Sequence, residues 1–132
     1  MDLGEQIIRL VLAIVLGLAI GFEREKAHKP AGLRTHMLVC LGSCLFTLIS
    51  LKFSVDPARV AAGIVTGIGF IGAGTIIAER EKIVGITTAA SLWITAAIGL
   101  ALGIGDYMLA IMSSAFTILV LFSRTIFKKE IS

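Results

Sequence analysis

The chain has 132 residues, of which 57% are apolar and 16% charged, and a net charge of +3. Soluble domains carry about a quarter charged residues, so this composition excludes an ordinary soluble protein. It indicates an all-α polytopic membrane bundle, long enough for about five helical passes and leaving no separate soluble domain.

The first apolar segment covers residues 3–22. It opens MDLGEQIIRL, acidic rather than basic, so it is expected to persist as a helix and not to be cleaved as a signal. Gly17 and Gly21 form a GxxxG pair on it. A charged loop follows, beginning with the tetrapeptide EREK at residues 23–26, and in it Glu23 and Arg24 lie where the helix meets the surface. Glu23 can pair with Arg34 across the turn, adding at most about 1 kcal/mol if solvated.

The second segment, residues 35–53, starts at Thr35 and carries Cys40 and Cys44 inside an apolar run. Their spacing gives neither good disulfide geometry nor a four-ligand metal site, so they read as small packing residues. His28 and His36 with Glu23 and Glu25 match no strong metal motif. Neither a metal nor a cofactor is expected.

In the third segment, residues 57–78, Asp56 is the expected N-cap and Pro57 the first helical residue, with Arg59 in the first turn. The stretch GIVTGIGFIGAGT brings Thr66 together with Gly63, Gly67, Gly69, Gly72 and Gly74. Unbonded peptide groups are costly in lipid, so the helix should survive its glycines, and bare backbone lets neighbours approach closely. Glycines around much of the circumference place this helix at the centre of the bundle. A second reading has residues 67–74 unwound, lending carbonyls to an ion or solute.

A second EREK, residues 79–82, precedes the fourth segment, residues 86–104. Thr87, Ser91 and Thr95 recur every four residues and share one face, with Thr88 flanking it as a cap. These hydroxyls read as glue between helices, with Thr66, Ser43 and Thr47 as partners, or alternatively as the wall of a solute path. Trp93 lies mid-segment, away from the interfacial belt tryptophans prefer, and is expected to touch another helix or subunit. Gly99 and Gly103 supply a third GxxxG pair, beside Gly17 with Gly21 and Gly63 with Gly67. After GIGDY, where Asp106 is the expected cap, the fifth segment spans residues 107–127.

Arg9, Lys52 and Arg59 fall on one side of such a bundle, and the other nine Lys and Arg residues on the opposite side. The positive-inside rule then places the N-terminus outside, the C-terminus in the cytoplasm and both EREK copies at the cytoplasmic face. There Arg24 and Arg80 would each meet the negative end of a helix dipole. The match extends further: Gly32, Leu33 and Thr35 answer Gly85, Ile86 and Thr88, as in a parallel repeat of helices one and two in helices three and four. Residues 10–22, 37–51, 60–78 and 107–123 hold no charge or histidine. That weighs against a proton-coupled carrier, though not against a path of carbonyls and hydroxyls.

Three stretches, GFEREKAHKPAGLRTHMLVCLGSCLFTLIS, DPARVAAGIVTGIGFIGAGTII and VGITTAASLWITAAIGLALGIG, resemble the MgtC/SapB family of bacterial inner-membrane proteins over nearly the whole chain. Glu23, Arg24 and residues 31–35 fit its first block, Arg59 and residues 67–74 its second, and Gly85, Thr88, Ala89, Ala90 and Trp93 its third. The resemblance implies a five-helix inner-membrane protein, linked in some members to growth under magnesium limitation and to pathogen survival within host cells. It implies no established enzymatic or magnesium-transport activity. Longer members add a cytoplasmic domain after helix five, so its regulation is expected to be absent here or supplied by another polypeptide. Virulence-associated members can carry Asn in the block holding Thr87, and no virulence role is carried over.

The favoured expectation is a non-enzymatic module acting through protein contacts in the bilayer, as a homo-oligomer, a dimer first, or with another membrane protein. The alternative is a transporter or channel for an ion or small solute, its path beside segments three and four. An enzyme fits poorly: GIGFIGAG lacks the strand and soluble setting of a nucleotide loop. Dispersed basic residues exclude nucleic acid as an expected partner.

Overall fold

A computed structural model describes residues 1–54, 56–79 and 82–131. Among them are five helices: α1 Leu3–Lys26, α2 Leu33–Ser50, α3 Ala58–Ala73, α4 Ile86–Gly103 and α5 Tyr107–Ile131. Four are long and apolar enough to cross a membrane, and α3 is shorter. At 1.5 Å per residue its 16 residues rise about 24 Å, less than the roughly 30 Å hydrocarbon thickness.

Local chemistry sets most boundaries. The Asp2 carboxylate accepts from the Glu5 amide at 2.8 Å and caps α1. Asp106 does the same for α5, accepting from the Leu109 amide at 3.1 Å as its sequence position predicts. Asp56 does not cap α3: it has a positive φ of 41° and pairs with Arg59 at 3.5 Å, and the helix starts after Pro57.

The third segment stops short of residue 78. Gly72 weakens its last turn, and the Thr75 hydroxyl donates to the Gly72 carbonyl at 2.7 Å, ending the helix at Ala73 with Gly74 as its cap. Here β-branched residues take over. Strands β1 Ile77–Glu79 and β2 Lys82–Val84 form an antiparallel hairpin, with Ile77 opposite Val84 and Glu79 opposite Lys82. The second EREK therefore lies at a hairpin and not at a helix C-terminus; its Arg80 and Glu81 fall outside the described residues.

Gly85 closes the hairpin at φ +98° as the N-cap of α4. A side chain there would overlap the Thr75 carbonyl, so the position needs glycine for both conformation and space. Gly32 is likewise the N-cap of α2, but at φ -109°, so the two similar loops end on glycines of different conformation.

The centre of the bundle is shared by α2 and α4 and is not α3: among the described residues α4 is the most buried helix and packs against the other four. A Cβ on Gly17 would meet the His36 carbonyl at 2.7 Å and the Met37 Cα at 2.8 Å, and one on Gly21 the Leu33 Cα at 2.8 Å. From the other side, Gly99 lies against Cys40 and Ser43, and Gly103 against Thr47 and Cys44. Helices α1 and α4 thus clasp α2 through their GxxxG pairs. Free Cys40 and Cys44 are buried in the seam with Ala13, Ile20, Ile98 and Leu102.

By contrast, Gly63, Gly67 and Gly69 of α3 have open space where a Cβ would stand. Only Ile68 and Gly72 of that helix are buried, Gly72 against Ala89 of α4. Glycine permits close approach but supplies no side chain to hold a neighbour, so within one chain α3 remains peripheral.

Candidate functional site

The α1–α2 turn and the β-hairpin meet at one end of the bundle. Arg24, in the last turn of α1, is 1% exposed and reaches the start of α4, where its Nη2 donates to Thr88 Oγ1 at 3.3 Å. Its Nη1 lies 3.4 Å from Glu23 Oε2, and Glu23 Oε1 lies 3.6 Å from Arg124 of α5. Glu23 is thus shared by two guanidinium groups, and the expected pairing with Arg34 is not formed; Arg34 is exposed on the first turn of α2.

A polar chain continues inward. His36 Nδ1 donates to the Gly32 carbonyl at 2.8 Å, and its Nε2 lies 2.9 Å from Ser91 Oγ. The Ser91 hydroxyl is 2.7 Å from the Thr88 carbonyl, and that of Thr95 donates to the Ser91 carbonyl at 2.6 Å. Most hydroxyls expected to glue helices therefore bond their own helix. Among these hydroxyls, bonds between helices are made by Thr88 with Arg24, by Ser91 with His36, and by Ser43, whose hydroxyl donates to the Ala96 carbonyl of α4 at 2.6 Å.

Around this end a cavity of about 370 Å³ is lined by Arg24, Lys29, Pro30 and residues 82–88, including Thr87 and Thr88. The cavity brings together two basic residues distant in sequence, Lys29 from the α1–α2 turn and Lys82 from β2. A larger apolar groove, about 640 Å³, runs between α2 and α3 past Thr35, Gly42, Ser43, Gly63, Gly67 and Ala96.

The remaining candidates disperse. Thr66, Gly69 and Gly74 of the third segment are exposed, as is Arg59. Residues 67–73 are helical, so the unwound reading does not hold, and the chain leaves the helix only at Gly74. Trp93 is 58% exposed on α4.

Sequence reading missed Arg9. It is 8% exposed, donating from Nη1 to the Gly103 carbonyl at 2.7 Å and from Nε to the Tyr107 hydroxyl at 3.3 Å, with Glu5 at 2.5 Å. It thereby satisfies an orphan carbonyl at the C-terminal end of α4. A charge flanked by apolar residues at the seventh position of a membrane helix was the available signal.

The sequence profile of the MgtC family matches residues 10–130. The chain belongs to the MgtC family. Among its relatives are a protein of Escherichia coli K12 named "Putative magnesium transporter YhiD", 50% identical over 89% of this chain and 60% of its own length, and Protein MgtC of Salmonella typhimurium LT2, 43% identical over 93% and 52%. Protein SrpB of Synechococcus elongatus is 37% identical over 86% of this chain and 71% of its own length. The chain thus spans between half and three quarters of these MgtC-type relatives. No solved structure matches it. Family membership and the four long apolar helices identify a multi-pass membrane protein.

Proposed function

We propose that this MgtC-family chain is a non-enzymatic module of the bacterial inner membrane, serving magnesium or other ion homeostasis through helix contacts within the bilayer. The observation carrying this reading is the open glycine face of α3, where Gly63 and Gly67 floor the groove against α2. In lipid, small residues favour helix association because they let backbones meet over a wide area. The occupant is a second copy of the chain, making a dimer, with another membrane protein as the competing partner. The His36 and Ser91 pair does not argue for catalysis: both are buried, and the second imidazole nitrogen faces a backbone carbonyl rather than a carboxylate.

Native mass measurement of the chain in mild detergent should show a dimer that Gly63→Leu or Gly67→Leu converts to a folded monomer. An unchanged assembly state in both variants would overturn the reading.

The name of the YhiD relative favours a second reading, magnesium transport. Mg²⁺ requires near-octahedral oxygen coordination, whereas the groove beside α3 is apolar and the Ser43 hydroxyl in it is already bonded to Ala96. Magnesium flux into liposomes carrying the purified chain would establish transport; none across a broad ion panel would remove it.

A further inference from the structure

We infer that the cavity between the α1–α2 turn and the β-hairpin binds a phosphate group. Three independent features converge on it. The first is α4, an 18-residue helix whose N-cap, Gly85, provides no side-chain acceptor. The first intrahelical bond of α4 runs from the Ala89 amide to the Gly85 carbonyl, which leaves the amides of Ile86, Thr87 and Thr88 without helical acceptors at the positive end of the dipole. Such an end is suited to an anion.

The second feature is the Arg24 guanidinium, which lines the cavity while almost wholly buried. Its Nε has no hydrogen-bond partner among the described residues. Its other two contacts, 3.3 Å to Thr88 and 3.4 Å to Glu23, exceed the roughly 2.7–2.9 Å of a good charge-assisted bond. A buried guanidinium with loose partners is an incomplete arrangement, and a tetrahedral oxyanion at the start of α4 would supply the acceptors.

The third feature is charge balance. Lys29 and Lys82 project from the two loops on either side of the cavity and are exposed. Glu23 is the acidic group nearest Arg24 among the described residues, and its carboxylate is divided between Arg24 and Arg124. Among the described lining residues, Arg24, Lys29 and Lys82 are basic and none is acidic. Its polar rim adjoins exposed Ile83 and Ile86, so the phosphate can belong either to a free anion or to a lipid headgroup whose chains lie along the hairpin.

The test uses the full chain in an uncharged detergent. In one arm inorganic phosphate is titrated against chloride at equal ionic strength while thermal unfolding is followed. In the other, native mass spectrometry compares retention of phosphatidylglycerol with that of phosphatidylcholine. Saturable stabilisation by inorganic phosphate identifies a free anion, and selective retention of one phosphatidylglycerol identifies a headgroup; either supports the site.

Loss of a hydrogen bond to a charged group should weaken binding roughly tenfold in Lys82→Gln or Lys29→Gln, and more in the pair. Both side chains are exposed, so these variants should fold even if Arg24→Gln does not. Absence of binding in both arms, or binding that the double lysine variant leaves unchanged, would overturn the inference. Neither result bears on dimerisation through α3.

Discussion

At the scale of single residues, the chain concentrates its constraints at a few backbone positions. Gly85 is the sharpest case, because φ +98° and the adjacent Thr75 carbonyl both reject a side chain. Placing an L-residue in the left-handed region costs about 1–2 kcal/mol before any overlap is counted. Gly85→Ala should therefore lower the thermal midpoint in detergent, whereas Gly42→Ala, on open space in α2, should leave it within about 0.5 kcal/mol of wild type. Equal effects would show that Gly85 is not held as described. Arg9 acts differently, by ending α4 with a side chain from α1. Arg9→Met keeps most of the apolar stem but leaves the Gly103 carbonyl unpaired, a loss of about 1–3 kcal/mol readable in the same melts.

Among the elements, the two GxxxG pairs that clasp α2 and the one left open on α3 have the same sequence signature and opposite surroundings. Gly99→Leu should force α4 away from α2, at a cost of about 1–3 kcal/mol or more for overpacking. Gly63→Leu should leave monomer unfolding nearly unchanged, since among the described residues no atom beyond its own stretch of helix lies within 4 Å of its added Cβ. Comparable destabilisation by both would mean that α3 is packed within the chain after all. The helices themselves were legible because long apolar runs bounded by charge have few other solutions in lipid. Glycine spacing identified three surfaces able to pack, but not which neighbour would use each. That choice depends on side chains of the partner helix: α2 offers Cys40, Ser43 and Thr47, small enough to admit α4. The hairpin escaped notice because Ile77 and Ala78 continue an apolar run, and only the pairing across to Val84 and Ile83 turns them into a strand. The meeting of Arg24 with Thr88, 64 positions apart, likewise has no local signal.

For the whole molecule, the packing fixes which loops share an end, while the bilayer must fix which end is which. Arg24 meets Thr88, Glu23 meets Arg124, and Lys29 and Lys82 line one cavity, so the α1–α2 turn, the hairpin and the far end of α5 lie together. Arg9 against Gly103 and Tyr107 marks the opposite end. We propose, from the excess of basic residues, that the first end faces the cytoplasm. Single substitutions Lys29→Cys and Lys82→Cys should then react with an impermeant maleimide in inside-out vesicles and not in intact spheroplasts, and Lys52→Cys should show the reverse. Native Cys40 and Cys44 are buried and should stay silent in both. Labelling of Lys29→Cys and Lys82→Cys from opposite sides would contradict the fold itself. Labelling of both from outside would keep the fold and invert its orientation, placing the basic cavity where only external phosphate or outer-leaflet headgroups could reach it.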